Sequence, residues 1–574
     1  ADGWFPVILE RTNYSRLRAV LVETATFFAA RGYVFMLQSV RGRYRSEGTW
    51  GEGQYKNERE DGYDTVEWIA AQSWCDGQVG TIGNSMSTQM QQALAVMNPP
   101  HLKAQFHFDG GYNYHTRSTR NSGACWFLPW LTYMWVMAMS GKEARANPSA
   151  RQALKEEMDS IPDLCARFVL TKNSTPLKHF PRYEKMFLDV VSRGDYDKYW
   201  KEAGCNIEEF IDNFADVPVY LESSWYGNHP WGTVKKYLEL SSRHESPKRL
   251  LMGAWLHDYK HLEISSGDVD LGPDSRFYNI RDLALKWFDH WLKGMKTDVL
   301  EDPPIRLFVM GGGDGRKTAE GKLRHGGTWR HENEWPIART CYSSYYLHSD
   351  GGLRPDRPSR RASSTTYTFD PQNPVPTVGG NLDLGFMPGL IEGGGYDQRG
   401  RKELYFCKDT LPLASRPDVL VFETPALEQD IEVTGSVAVR LWVSSSCPDT
   451  DFTVKLIDVY PPNEDYPEGY ALNLCDDIVR ARYRNSREKA QLMVPGQIYE
   501  ITLEPQPTSN LFKAGHRVRL DISSSNFPLF DVNPNTGGPL GKERNMVPAQ
   551  NTVFHDDEHP SHIVLPVIPA VEKT

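Results

Sequence analysis

The apolar and polar positions of the first 114 residues alternate between two periodicities. The runs "PVILER" from Pro6 and "GYVFMLQSVRG" from Gly32 are short, apolar and end in polar or glycine turns, whereas "DTVEWIAAQ" from Asp64 repeats its apolar residues at helical spacing. The runs "VGTIGNS" from Val79 and "LKAQFHFDG" from Leu102 add two strands with a helix between them. Strands that alternate with helices in this way predict a parallel sheet with crossover helices.

The strand signals then stop for about a hundred residues. Trp/Met-rich and charged stretches of helical character, such as "WFLPWLTYMWVMAM" from Trp126, replace them, and the alternation of strands and helices resumes with "VPVYLESSW" from Val217. We therefore predict one α/β domain, built from residues 1–114 and 216–335, with a helical cap insertion at 115–215.

The pattern changes again in the last 240 residues or so. Apolar and polar residues alternate in "VTGSVAVRLWVSSS" from Val433, "DFTVKLIDVY" from Asp451 and "GHRVRLDISSS" from Gly515, without helices between them. Many such strands in succession are typical of a β-sandwich, which we assign to residues 336–574.

Composition and charge limit the classes of binding partner that the chain can be expected to have. The net charge of -10 is spread over 574 residues without a long run of one sign, so neither nucleic acid nor an anionic membrane is indicated, and a small-molecule substrate fits better. No apolar run approaches the roughly 20 residues that span a bilayer, and no export signal is visible at the first residues, which favours the cytoplasm. The sequence does not distinguish a monomer from a homo-oligomer.

The eight cysteines are few for the length of the chain and irregularly spaced, with no CxxC pair and no Cys/His pair at zinc spacing. This spacing predicts scattered reduced thiols. Neither a disulfide framework nor a structural metal site is expected.

The stretch "VGTIGNSMS" places Ser85 directly after a predicted strand and directly before a helix. A serine on such a sharp turn projects its hydroxyl from the sheet edge, and the N–H of the next residue, Met86, can donate to a developing oxyanion. Gly83 supplies one of the small neighbours that the turn needs, while Ser87 stands where a second glycine is usual. The pattern alone also fits a serine that caps a helix.

A nucleophilic serine needs a base. His257 in "LLMGAWLHDYKH" follows the last strong strand of the α/β region, where loops gather at the carboxyl edge of the sheet. A solvated loop histidine would fit the same position.

Together these stretches resemble the cocaine esterase family, the α/β-hydrolases that also include α-amino-acid ester hydrolases and X-prolyl dipeptidyl peptidases. The resemblance extends over nearly the whole chain and implies an α/β-hydrolase domain with a C-terminal jelly roll. It is carried by "RTNYSR" from Arg11, "SVRGRYRSEG" from Ser39, "WCDGQVGTIGNS" from Trp74, "SSWYGNHPWG" from Ser223, "RLLMGAWLH" from Arg249 and "SNLFKAGHRVRLDISSSNFP" from Ser509.

The resemblance implies roles for four residues. Ser85 would be the nucleophile and His257 the general base, while the Tyr14 hydroxyl and the Met86 N–H would form the oxyanion hole. It implies no metal and no organic cofactor.

One position departs from the family pattern. The family's triad aspartate belongs to a "W-Y-D" stretch, but this chain reads "WYGN", with Gly227 at that position. Three explanations are open. The acid has moved to Asp109 at the end of the neighbouring strand, or Asn228 orients the histidine without a charge, or the glycine leaves a slow or inactive protein. Asp109 would equally fit a turn-forming residue before two glycines.

The leading hypothesis is a serine hydrolase that cleaves an ester or amide of a small molecule through an acyl-enzyme intermediate, with Ser85, His257 and Asp109 as the catalytic residues. One alternative is an X-prolyl-type aminopeptidase or an acyltransferase on the same scaffold. Another is a hydrolase-like binding protein whose catalysis was lost with the triad acid. The aromatic stretch at 126–139 would line an acyl pocket, although helix packing explains the same residues.

Overall fold

The computed structural model describes residues 3–51, 55–165, 169–257, 261–382 and 389–570. Within these residues no helix has the length and hydrophobicity needed to cross a membrane. The α-helices are α1 (Ala19–Ala29), α2 (Glu58–Ala70), α3 (Met86–Ala95), α4 (Phe127–Met139), α5 (Lys142–Ala146), α6 (Pro148–Glu156), α7 (Ile161–Cys165), α8 (Pro181–Ser192), α9 (Lys198–Lys201), α10 (Pro230–Arg243) and α11 (Ile280–Lys293).

The strands fall into two groups along the chain. Those of the first group are β1 (Phe5–Thr12), β2 (Val34–Ser39), β3 (Cys75–Asn84), β4 (Leu102–Phe108), β5 (Arg120–Asn121), β6 (Ala124–Cys125), β7 (Val219–Ser224), β8 (Lys248–Gly253), β9 (Ser265–Ser266), β10 (Val269–Asp270), β11 (Ile305–Gly311), β12 (Leu323–Arg324) and β13 (Gly327–Glu332). Those of the second group are β14 (Cys341–Leu347), β15 (Leu353–Arg354), β16 (Ser364–Phe369), β17 (Leu420–Glu423), β18 (Ile431–Gly435), β19 (Ala438–Ser445), β20 (Asp451–Tyr460), β21 (Tyr470–Arg480), β22 (Tyr499–Leu503), β23 (Thr508–Phe512), β24 (Arg517–Ser523), β25 (Ala549–Phe554) and β26 (His562–Ile568).

The first group contains the predicted parallel sheet. Its parallel strands lie in the order β2, β1, β3, β4, β7, β8, β11. Because parallel strands all end at the same edge, the loops after β1, β3, β4, β7 and β8 meet there. These are the loops that carry the residues singled out in the sequence.

Both faces of this sheet are buried, which explains the continuous apolar character of its strands. Along β1, Val7 and Leu9 pack into one hydrophobic core, while Ile8 packs into the other with Phe28 of α1 and Phe288 of α11. Helix α3 is buried along its whole length, and its contacts include β1 and β3. The strand that leads to Ser85 is therefore held from both sides.

The second group forms the predicted β-sandwich. Strands β17, β24, β20 and β21 make one antiparallel sheet. Strands β14, β16, β18, β19, β22, β23, β25 and β26 pair antiparallel in another. Strand β23 also pairs with the end of β11, with Met310 opposite Asn510, so the sandwich continues the edge of the parallel sheet.

Two elements differ in extent from the sequence pattern. Helix α2 begins at Glu58, six residues before the predicted "DTVEWIAAQ", because an acidic first turn suits a helix N-terminus. The run from Val433 is two strands, β18 and β19, because Gly435 interrupts it with φ 143°. Helices α4 to α9 lie within the span given to the cap insertion, and the exact domain boundaries stay a prediction.

The cysteines are all free, as their spacing predicted, and most of them are buried. Among the described residues, His, Cys, Asp and Glu side chains form no group that could hold a metal ion.

Candidate active site

Ser85 lies on the turn between β3 and α3 with φ 57° and ψ −118°, a conformation that residues with a side chain rarely adopt. A Cβ at Gly83 would lie 2.5 Å from the Cβ of Ser87, so the turn needs glycine at position 83. The backbone N–H of Ser85 donates to Phe108 O at 3.0 Å, which ties the turn to the end of β4. The sharp strand-to-helix turn predicted for Ser85 is therefore present.

Ser87, which stands where a second glycine is usual, forms a hydrogen bond with the buried carboxyl group of Glu10. Glu10 of β1 is 2% exposed, and burial raises the pKa of its carboxyl to about 8 although a hydrogen bond from Ser87 lowers it. The hydroxyl at position 87 thus has a partner below the turn. Its small side chain still fits against Gly83.

His257 follows β8, and its Nδ1 forms a hydrogen bond with the Oδ2 of Asp109, which follows β4. Both side chains are more than nine-tenths buried. The structure therefore brings together the histidine and the carboxylate that the sequence left as one of three alternatives.

Three further donors hold the Asp109 carboxylate. Oδ1 accepts the Ser223 hydroxyl at 2.6 Å and the His229 backbone N–H at 3.1 Å, and Oδ2 accepts the Asn228 backbone N–H at 3.0 Å. Burial raises the pKa of Asp109, but the charge and hydrogen bond of His257, the charge of His229 and the Ser223 hydrogen bond lower it by more, so the pKa ends below its usual value. Asp109 is therefore ionised at neutral pH. Its backbone has a positive φ of 33°.

Gly227 occupies the space beside this carboxylate. A Cβ at position 227 would lie 2.9 Å from Asp109 Oδ2 and 2.9 Å from Ser224 Oγ, closer than Cβ atoms approach other atoms. The glycine leaves room for an acid that arrives from β4. Asn228, the second alternative, approaches that acid through its backbone N–H.

Tyr14 and Met86 line the same pocket as Ser85 and His257. Met86 is the first residue of α3, so its N–H belongs to the helix turn that has no intrahelical partner. Tyr14 follows β1, in a loop held from below by Arg43, whose Nε donates to Asn13 O at 2.9 Å. The two predicted oxyanion donors thus lie with Ser85 around one cavity.

That cavity, of about 100 Å³, has a mostly aromatic wall. Helix α4 and the residue before it contribute Trp126, Pro129, Trp130 and Tyr133. Other residues of α4, such as Leu131, are fully buried in the core. Part of the stretch at 126–139 therefore lines the cavity beside Ser85 and part packs into the core, and its role as an acyl pocket stays a prediction.

Comparisons with known proteins identify the family of the chain. The X-Pro dipeptidyl-peptidase (S15 family) model matches residues 1–259, and the model of the X-Pro dipeptidyl-peptidase C-terminal non-catalytic domain matches residues 297–564. Cocaine esterase of Rhodococcus sp. (strain MB1 Bresler) is 32% identical over 600 residues, which cover 99% of this chain and 94% of that protein. The chain belongs to the cocaine esterase family.

Solved structures of the same fold are less similar in sequence. An aminopeptidase from a marine sediment Thaumarchaeota archaeon superposes with a TM-score of 0.75 at 23% identity, over 99% of this chain and 92% of that one. An α-amino acid ester hydrolase superposes with a TM-score of 0.72 at 24% identity, over 98% and 92%. The architecture is that of an α/β-hydrolase followed by a C-terminal β-sandwich domain, as the sequence predicted.

The pocket of this cocaine esterase family member also contains Ser118 and His229, two polar residues that were not predicted from the sequence. Ser118 and His229 line the cavity beside Ser85, and Ser118 Oγ lies 3.2 Å from His229 Nδ1. His229 belongs to the "SSWYGNHPWG" stretch, two residues after the departure at Gly227, and this proximity was the available signal. Ser118 stands in a loop without periodicity, so no pattern indicated it.

Proposed function

We propose that this protein is a serine esterase that acts on small neutral esters through an acyl-enzyme. The observation that carries the proposal is the contact between Asp109 and His257 Nδ1, since His257 lines the same pocket as Ser85. Family membership supports a serine hydrolase, and the contact supports a working one, because an acid on Nδ1 is what the histidine needs in order to act as a base.

The proposed reaction begins with attack of Ser85 Oγ on the ester carbonyl carbon. His257 accepts the serine proton at Nε2, while Asp109 holds its Nδ1–H and stabilises the imidazolium that forms. The carbonyl oxygen becomes an oxyanion, to which the Met86 N–H and the Tyr14 hydroxyl donate. The ester C–O bond then breaks, and His257 returns the proton to the departing alkoxide oxygen.

Water completes the cycle. It attacks the acyl-Ser85 carbonyl as His257 takes a proton from it, the same donors stabilise the second oxyanion, and the carboxylic acid leaves as Ser85 regains its proton. Each step uses residues of this chain.

The lining of the pocket favours an ester with an apolar acyl group. The described lining side chains are aromatic, apolar, or polar without an acidic group, and the phenols of Tyr114 and Tyr133 have pKa values well above the usual one because they are buried. A neutral wall suits a neutral substrate. A peptide with a free N-terminus would need a carboxylate to bind its ammonium group.

The test is covalent labelling of Ser85. We expect a fluorophosphonate to modify the protein at Ser85, Ser85→Ala to lose the label, and Ser242→Ala, which changes an exposed serine on α10, to keep it. With p-nitrophenyl acetate the wild type should release a burst of nitrophenolate equivalent to the enzyme. Absence of both label and burst would favour a binding protein, and product formed on an added amine or alcohol in preference to water would favour an acyltransferase.

A further inference from the structure

A second serine and histidine lie in the pocket beside the proposed catalytic residues. Ser118 Oγ and His229 Nδ1 are 3.2 Å apart, and both side chains line the cavity that contains Ser85. The proposed mechanism assigns no role to either of them. We call them the Ser118/His229 pair.

The backbone around the pair makes room for its polar atoms. A Cβ at Gly111 would lie 2.7 Å from Ser118 Oγ and 3.5 Å from His229 Nδ1, so the pair uses space that a side chain at position 111 would fill. The same Cβ would lie 2.6 Å from Nε2 of Gln89, a buried amide nitrogen without a hydrogen-bond partner among the described residues. Ser118 itself is held at φ 144°, in the region that favours glycine. Position 118 therefore carries a hydroxyl although its backbone conformation would favour glycine.

The position of His229 indicates which part of the substrate it faces. Its backbone N–H donates to Asp109 Oδ1 at 3.1 Å, and its ring centre lies 5.8 Å from that of His257. Since His257 must hand its proton to the leaving-group oxygen, that oxygen lies against His257 during the reaction. The Ser118/His229 pair is therefore on the leaving-group side of the cavity. Tyr14 and the aromatic residues of α4 form other parts of the wall.

Burial, more than the charged groups around it, keeps the ring of His229 neutral. Burial lowers the pKa of His229 to about 4, with further lowering by His257 and Lys236, although Asp109 raises it. Once they are bonded to each other, a neutral imidazole and a hydroxyl have one donor and two acceptor positions left for a ligand. Such a pair is matched by a neutral polar group rather than by a carboxylate or an ammonium ion.

We propose that the Ser118/His229 pair is a leaving-group subsite that binds a neutral hydrogen-bonding substituent, a hydroxyl or an amide, on the alcohol part of the ester. The subsite rests on the proposed esterase function and adds to it a class of substrate. Esters of diols, hydroxy-alcohols or amide-bearing alcohols are then better substrates than esters of plain alkanols of the same size.

The test compares two esters that share an acyl group. 2-Hydroxyethyl butyrate and propyl butyrate differ only by a terminal hydroxyl in place of a methyl group, and they form the same acyl-enzyme. The readout is the ratio of their kcat/KM values, measured by acid release in a pH-stat. We expect wild type to favour the hydroxyl ester, and His229→Leu or Ser118→Gly to lower the ratio about tenfold, the worth of one hydrogen bond. Glycine suits the backbone of position 118 and so is the variant least liable to unfold.

Two controls sharpen the readout. His229→Gln keeps a donor and an acceptor and should retain part of the preference. Ser242→Ala, on the surface of α10, should leave the ratio unchanged. A second substrate pair, propyl 3-hydroxybutyrate and propyl butyrate, carries the hydroxyl on the acyl side, and its ratio should not respond to changes at Ser118 or His229.

The outcomes separate this subsite from the proposed function. If Ser85 is labelled in every variant but the leaving-group ratio stays at the wild-type value, the subsite is wrong and the esterase stands. If the variants change the ratio for the acyl-side pair of esters instead, the Ser118/His229 pair contacts the acyl group, and the leaving-group assignment is overturned. If Ser85 is never labelled and neither ester is cleaved, both proposals fail.

Discussion

The ends of strands β4 and β7 lie side by side at the active edge, and they differ in one respect from the pattern of the cocaine esterase family. The family pattern puts an aspartate after β7, whereas this chain has Gly227 there and Asp109 after β4. The two strands are paired up to this point, with Phe108 opposite Glu222. A carboxylate from either loop can therefore reach the same histidine.

The comparison shows that the carboxylate beside His257 is identified by the space it occupies and not by its position in the sequence. We call the space that the Asp109 carboxylate and a side chain at position 227 would both occupy the shared space. The Cβ that Gly227 lacks would lie 2.9 Å from the Oδ2 of Asp109 that contacts His257. Only one of the two positions can therefore carry a carboxylate without rearrangement. The backbone N–H groups of Asn228 and His229, in the loop after β7, donate to the Asp109 carboxylate from the loop after β4.

Removing the β4 acid should have the largest effect. In Asp109→Asn the amide can no longer hold the protonated tautomer of His257 or stabilise its charge, so we expect kcat for p-nitrophenyl acetate to fall about 10⁴-fold. Asp212→Asn, on an exposed aspartate, serves as the control. A loss of less than tenfold would mean that Asp109 is only a turn residue.

Placing an acid after β7 as well should damage the site through crowding. In Gly227→Asp the new Cβ meets the Asp109 carboxylate, and a second negative charge enters a buried site. We expect kcat to fall about 100-fold through misplacement of His257, and the free energy of unfolding to fall by about 1–3 kcal/mol. Gly227→Ala separates crowding from charge, since it adds the Cβ alone. Wild-type activity in both variants would contradict the shared space.

The buried Lys236, whose pKa is influenced by the β4 acid, should appear in the pH dependence of stability. Burial lowers the pKa of Lys236 to about 7, although Asp109 raises it. Between pH 7 and 10 the unfolded chain thus binds a proton that the folded protein does not. Wild type should gain stability relative to Lys236→Met by about 1.4 kcal/mol per pH unit in that window, and the variant's advantage should be largest at or below pH 7. Urea unfolding at pH 7, 8.5 and 10 measures this, and a difference independent of pH would contradict it.

Weakening the support of the β4 acid should have the smallest effect. Ser223→Ala removes the hydroxyl that donates to Asp109 Oδ1 at 2.6 Å, so we expect kcat to fall up to about tenfold and the pKa of Asp109 to rise. The neighbouring Ser224 donates to Trp255 O instead, and Ser224→Ala is the matched control. Equal losses in the two variants would mean that the effect is one of packing and not of the acid.

The sequence predicted the parts of this site that depend on local pattern. The apolar runs predicted β3 and β8, and with them the positions of Ser85, directly after β3, and of His257, in the loop after β8. The sequence could not decide which residue is the partner of His257, because that depends on three-dimensional distances. A Cβ at position 227 would clash with the Asp109 carboxylate, and only the structure shows this. The Ser118/His229 pair was missed for the same reason, since its atoms meet only across two separate loops. The catalytic roles of these residues stay predictions.

The most direct measurement moves the acid back to the loop after β7. The backbone of Gly227 lies outside the left-handed region, so it accepts a side chain once the Asp109 carboxylate is removed and the Ser224 hydroxyl shifts. Glycine suits the positive φ of position 109. We expect Asp109→Gly to lose about 10⁴-fold in kcat for p-nitrophenyl acetate, and the double variant Asp109→Gly, Gly227→Asp to regain at least about a hundredfold of that loss. A folded double variant no more active than Asp109→Gly, or an Asp109→Gly variant as active as wild type, would contradict the account.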